Sequence, residues 1–269
     1  MDRWFLIAAT LLAAVAGVRG LLVLRHGNRS RWTVWWMIGV MLCQMGYLAA
    51  RGEMRGACPL RSIAEISVFL AWSLTLFYLL VGPVYRISLL GVFTAPVVVI
   101  FQGFTLLPGR LAANPEKVLN TTFWGETHSA MSVLAYGALA LAAVAGVMFL
   151  VLDHQLKEHH LKGGLFRNLP PVRELLVSLE RLLWLGMVLL TVGVSAGVLM
   201  ILPEKEDLPH LIAAIAEWSG LPHLIAAVAV WLGYVVLMVT KQVRGMTGRR
   251  FALGAVALFV LSLGVFAFV

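Results

Sequence analysis

HSAMSVLAYGALALAAVAGVMFLVL, residues 128–152, contains no charged side chain after its opening histidine. A helix rises about 1.5 Å per residue, so this stretch alone is long enough to cross the ~30 Å hydrocarbon layer of a bilayer. In lipid every backbone N–H and C=O must be paired within the segment, which makes a helix the only conformation open to an isolated apolar run of this length. Working outward, similar runs at about 4–24, 32–50, 63–82, 87–107, 182–202, 222–240 and 251–268 give eight expected transmembrane helices in an all-α, polytopic membrane protein.

The whole chain agrees with that reading. It has 269 residues, 61% hydrophobic and 13% charged, and a mean hydropathy of +0.90, well away from the ~25% charged residues of soluble domains. The length is used up by the spans, so residues 1–269 are expected to form a single transmembrane domain. The opening apolar run is long enough to span and reads as a retained helix rather than a cleaved signal sequence. A net charge of +8 raises the question of nucleic acid. The basic residues, however, fall in the short connections, where they report topology instead, and no nucleic-acid partner is expected.

Thirteen Lys and Arg lie in one alternate set of connections: Arg25, Arg29, Arg31, Arg86, Lys157, Lys162, Arg167, Arg173, Arg181, Lys241, Arg244, Arg249 and Arg250. The other set, with the N-terminus, holds seven. The richer set is expected on the cytoplasmic side, which places both termini outside the cytoplasm. The 203–221 connection fits an acidic outer loop, with Glu204, Glu206, Asp207 and Glu217 against Lys205, and 153–181 is the largest cytoplasmic connection. Within the latter, Pro170-Pro171 precedes a stretch from Val172 to Leu183 that reads as the start of an amphipathic helix. A tandem duplication spans 208–233: LPHLIAAIAEWSG is followed directly by LPHLIAAVAVWLG, identical at ten of thirteen positions. Two short copies do not make a solenoid, and a simple insertion explains them.

Ionisable groups within the apolar runs are costly, roughly 2.5–3.5 kcal/mol at a helix centre. Arg19 is expected to snorkel to the headgroups. Glu65 is expected at the outer interface, in reach of Arg61 four residues earlier. His128 stands at the outer end of its span behind Trp124, Gly125, Glu126 and Thr127. That place suits an axial haem ligand, with Trp124 packing on the macrocycle and Arg51, Arg55 and Arg61 meeting its propionates. An interfacial histidine and tryptophan without any ligand is the alternative. His154, His159 and His160 read as part of a solvated face, and Cys43 and Cys58 lack metal-ligand spacing. No Walker, GxSxG, HExxH or CxxC motif is present, so the common soluble catalytic devices are missing.

GACPLRSIAEISVFLAWSLTLFYLLVGPVYRISLLGVFTAP at 56–96 resembles two consecutive spans of the CcsA/HemX-type cytochrome c assembly family. WGETHSAMSVLAYGALALAAVAGVMFLV at 124–151 is similar to that family's histidine-bearing span, LERLLWLGMVLLTVGVSAG at 179–197 to its next one, and GMTGRRFALGAVALFVLSLGVF at 245–266 to the start of its last helix. The resemblance implies haem handling at the outer face, where a tryptophan-rich loop cradles haem b and histidines hold the iron, with His128 the first ligand. It further implies a bacterial inner-membrane location, and as partners a second assembly subunit and an apocytochrome c. The chain departs from the family pattern in the second half of the site. There the duplication replaces the tryptophan-rich loop, keeping Trp218, Ser219 and Pro222, and Val239 takes the position of the second histidine. His210 and His223 are the substitutes at hand. Ligase activity is therefore not expected, and the resemblance points to an accessory haem-handling protein. A HemX-like regulator contacting a cytoplasmic haem-biosynthesis enzyme through 153–181, or a small-molecule transporter, are the alternatives.

Overall fold

A computed structural model of the chain describes residues 2–26, 32–81, 90–111, 117, 122–157, 172–201 and 221–267. The described residues form eight helices: α1 (Asp2–His26), α2 (Trp32–Arg55), α3 (Ile63–Val81), α4 (Leu90–Leu106), α5 (Phe123–Lys157), α6 (Val172–Ile201), α7 (Leu221–Arg244) and α8 (Gly248–Ala267). Six of them, α1 to α3 and α5 to α7, are long and apolar enough to cross a membrane. The 17-residue α4 and the 20-residue α8 pack against them, α4 on α1 and α3, α8 on α5 and α7. The chain is an all-helical, multi-pass membrane protein.

Successive helices run in opposite directions, and side-chain bonds fix their ends. At one end Asp2 of α1 pairs with Arg51 of α2, Arg55 of α2 with Glu65 of α3, and Thr105 of α4 donates to the carbonyl of Ala64 in α3 at 3.0 Å. The opposite end is tied by Lys241 of α7, which hydrogen-bonds Glu180 of α6 and sits 4.2 Å from the centre of the Phe251 ring in α8.

Two subassemblies result. Helices α1 to α4 form a ring in which α2 and α4 also touch across the diagonal. Helix α5 joins this ring through α3 and carries α6 and α8 on its other side. With no hydrophobic drive between helices in lipid, close backbone approach must supply the association, and small residues make it possible. A Cβ on Gly20 would stand 2.7 Å from Val92, one on Gly137 2.0 Å from the Ser73 hydroxyl, and one on Gly186 2.7 Å from Leu139. These three contacts lie on the α1–α4, α3–α5 and α5–α6 seams. Between α7 and α8 the chain reverses in residues 245–247, and Gly245 takes a φ of 61° there, a left-handed backbone that side chains with a Cβ disfavour.

Two elements extend beyond the apolar runs. Helix α6 begins at Val172 and takes in the amphipathic stretch expected at 172–183 ahead of the apolar run: Leu175, Leu179, Leu182 and Leu183 form one buried stripe although Arg173, Glu174, Glu180 and Arg181 lower the local hydropathy. Helix α5 begins at Phe123, where the Thr122 hydroxyl accepts the N–H of Gly125 at 3.2 Å and acts as its N-cap. Arg19 is exposed on α1. Residues 158–171, part of the connection expected on the cytoplasmic side, and 202–220, which include the first copy of the duplication, lie outside the described residues. The second copy opens α7.

Candidate functional site

The end of the bundle that carries His128 also gathers the N-terminus of α1, the α2–α3 turn and the C-terminal turns of α4 and α6. His128 lies in the second turn of α5, part-buried, with Nδ1 2.8 Å from the carbonyl oxygen of Gly193 in α6. A carbonyl only accepts, so Nδ1 carries the proton. In the neutral ring the lone pair is then on Nε2, the state in which a histidine binds a metal while its other nitrogen is held by a backbone carbonyl. The ring rests against Gly197, one turn further along α6, where a Cβ would come 2.7 Å from Nδ1 and 3.0 Å from Cε1. The GVSAG stretch at 193–197 therefore supplies both the acceptor and the notch. One turn beyond, a Cβ on Gly125 would meet Met200 Sδ at 3.3 Å.

Trp124 stands four residues before His128 on the same helix face, 42% exposed, with Phe123 edge-on to it at 5.2 Å. The arginines expected to meet an anionic ligand are distributed differently. Arg51 and Arg55 belong to α2 rather than to a loop. Arg51 is buried against Asp2 at 3.1 Å, and Arg55 Nε is 2.8 Å from Glu65 Oε1. Arg61 remains exposed in the turn. Its backbone N–H, not its side chain, approaches Glu65, at 3.2 Å. Arg61 precedes the first residue of α3, so helical spacing does not hold between the two.

Cys58 and Leu60 of this turn pack with Ala130 and Val133 of α5 and with Phe69 and Leu70 of α3. Burial pushes the Cys58 thiol above its ordinary range, and the carboxylates of Glu126 and Glu65 add to the rise. The thiol is thus a packing group beside the head of α5. Among the described residues no three His, Cys, Asp or Glu side chains form a metal-holding group, which leaves His128 as a single donor.

The other expected site residues divide by depth. His210 and Trp218 lie outside the described residues, and of His223 only the backbone, in the first turn of α7, is described. The register of α7 on α6 is fixed by Trp231, whose Nε1 donates to Thr191 Oγ1 at 2.8 Å. His223 precedes Trp231 by eight residues, about 12 Å toward the His128 end, whereas His128 sits near residue 195, about 6 Å toward that end from Thr191. Position 223 is accordingly within about 6 Å of the His128 level along the bundle axis, and position 239 about 18 Å below it. Val239 is also half-exposed on the outer face of α7.

A family model described as cytochrome C assembly protein matches residues 60–268. A cytochrome c biogenesis protein CcsA from Synechococcus sp. (strain JA-2-3B'a(2-13)) is 34% identical over 131 residues, 48% of this chain and 37% of the relative. Its counterpart from Gloeobacter violaceus is 29% identical over 127 residues, 46% of this chain and 38% of the relative. A plant relative of the same description, from Buxus microphylla, is 26% identical over 196 residues, 60% of this chain and 61% of the relative. The chain thus spans less than two-fifths of the length of the two bacterial relatives. The matched stretch takes in α3 to α8 and with them His128, the Gly193–Gly197 notch and the Glu65 turn, and by that match the chain belongs to the cytochrome C assembly protein family.

Proposed function

We propose that this protein handles haem during cytochrome c biogenesis, holding haem b at the outer face of a bacterial inner membrane with His128 as an iron ligand. The observation that carries the reading is the His128–Gly193 hydrogen bond, which fixes the proton on Nδ1 and leaves Nε2 to bind iron. A single neutral imidazole flanked by an exposed tryptophan fits the donor set of a haem site and does not fit that of a zinc site, which takes four ligands. When bound, haem would supply the iron and the vinyl groups. The protein's part is to ligate, orient and shield, and the thiols that react belong to an apocytochrome c. A second assembly subunit completes the working complex. As a second iron ligand the α7 register favours His223 over anything at position 239, and Trp124 and Arg61 would help to hold the macrocycle and its carboxylates.

Detergent-purified protein from haem-sufficient cells is expected to carry near-stoichiometric haem b, measured by absorption spectrum and pyridine haemochrome. In His223→Ala the iron is expected to pass from low spin to high spin, because one of two strong ligands is gone. Haem-free wild-type protein would sink the proposal, and an unchanged spin state in the variant would remove His223 from it.

The notch gives an independent check. Gly197→Ala drives a Cβ into the ring, so Nε2 must swing off its line. Haem affinity should fall by about 10-fold, the lower end of what loss of ligand support costs. Gly103→Ala on α4, where a Cβ meets nothing within 4 Å, is the control and should bind haem as wild type does. Titration of the two variants with haemin reads the difference.

A further inference from the structure

Away from His128, the buried polar groups of the α1–α4 ring include two primary carboxamides, which the surrounding hydrocarbon does not accommodate. Gln44 of α2 and Gln102 of α4 are both 0% exposed, and neither the amide nitrogen nor the oxygen of either has a hydrogen-bond partner among the described residues. A primary carboxamide offers two donors and an acceptor, and burying it unpaired is costly, more so within a membrane, where no solvent can step in from the side.

The two residues share a layer. Gln44 sits in the single buried stripe of α2, one turn deeper than Tyr47, and Gln102 in that of α4, one turn deeper than Thr105 and Leu106. Tyr47 packs with Leu6, Val68, Leu111 and Leu106 in one cluster, which sets the two stripes at matching depth, and α2 and α4 are the pair that touches across the ring. Above Gln102 a cleft of about 190 Å³ opens beside Arg3, Ile7, Thr105, Leu106 and Leu111. Thr105, one of its lining residues, is a single helical turn from Gln102 in α4.

We propose that Gln44 and Gln102 hold a small cluster of water molecules inside the α1–α4 ring, filled from the cleft beside Arg3. Water is the ligand class that matches the site. It both donates and accepts, it is small, and buried waters characteristically take polar partners of this kind. Bridged through water, the two amides tie α2 to α4 across the diagonal. Gln44 comes from α2, upstream of residue 60 where the family match begins, so half of the site lies outside the matched region.

Hydroxyl-radical footprinting of the full chain in detergent, driven by an X-ray pulse in ¹⁸O-labelled water, tests this, since an enclosed aromatic ring is oxidised only by water bound next to it. Tyr47 and Tyr78 are both 0% exposed. Tyr47 lies one turn from Gln44, whereas Tyr78, at the other end of the ring, is packed against Gly91 with its hydroxyl 2.5 Å from a Cβ placed there. Tyr47 is expected to incorporate label several-fold faster than Tyr78, and Gln44→Leu/Gln102→Leu to bring it down to the Tyr78 rate. Equal, slow labelling in the wild type would overturn the proposal and point to a direct amide–amide bond. Fast labelling that survives the double substitution would overturn it too, by showing that the ring simply opens. If the double variant does not fold, the single variants Gln44→Leu and Gln102→Leu take its place, and Tyr47 labelling that stays fast in both would overturn the proposal.

Discussion

Replacing His128 by alanine is expected to strip haem from the purified protein, lowering its content at least about tenfold, while the helical bundle stays intact. Loss of a supporting contact around a metal ligand already costs 10–100-fold in affinity, and loss of the ligand itself cannot cost less. The structural price is small by comparison. His128 is part-buried and makes one side-chain hydrogen bond, to Gly193 O, worth about 0.5–1.5 kcal/mol. The carbonyl it leaves behind is in α6 and keeps its helical partner. Imidazole added to the variant is expected to restore part of the binding, since it is the group removed and the Gly197 notch that received the ring is still present. Wild-type haem content in His128→Ala, judged by pyridine haemochrome at equal protein, would mean that the iron is held elsewhere.

The fold was largely legible because its signal is hydropathy, which a membrane reads residue by residue. The apolar runs at 63–82 and 128–152 became α3 and α5, and the parity of the connections gave alternating helix directions. Where helices run beyond the apolar stretches, the extra turns are governed by other forces. The first ten residues of α6 are charged on one face and leucine on the other, and the start of α5 rests on the Thr122 cap. The site was legible only in part. His128 stood out as an imidazole at the mouth of an apolar run. Its acceptor, Gly193, is 65 residues away, and nothing local announces it, although GVSAG shows the small-residue spacing of a close helix crossing. Glu65 drew attention to Arg61 at helical distance, but α3 begins only at Ile63, so the carboxylate reaches Arg55 instead. Depth was missing altogether: a sequence alignment can pair position 239 with a histidine, and only the Trp231–Thr191 bond shows how far along the bundle that position lies.

Glu65→Ala is expected to destabilise the bundle by about 3–5 kcal/mol, the range for removing one partner of a buried ion pair. The Glu65 side chain is 2% exposed and that of Arg55 11%, so the guanidinium has little water to fall back on. The carboxylate also accepts the N–H groups of Arg61 and Ser62 at 3.2 and 3.3 Å, while the Ser62 hydroxyl accepts the N–H of Glu65 at 3.2 Å. That reciprocal pattern is a capping box, and one substitution removes both the cap and a buried charge partner of Arg55. Arg55→Leu/Glu65→Leu should recover much of the loss, because replacing a whole buried pair by apolar groups leaves no orphaned charge. Unfolding in mixed detergent micelles measures both. A loss below about 1 kcal/mol for Glu65→Ala would mean that the pair behaves as an exposed surface bridge. The turn it braces carries Cys58 and Leu60 against Ala130 and Val133 of α5, directly below His128. Haem binding in Glu65→Ala, measured at a temperature where the variant is folded, therefore separates two roles. Unchanged affinity makes the turn a brace for the bundle alone, and weakened affinity means that the same ion pair also holds the head of α5 at the angle His128 needs.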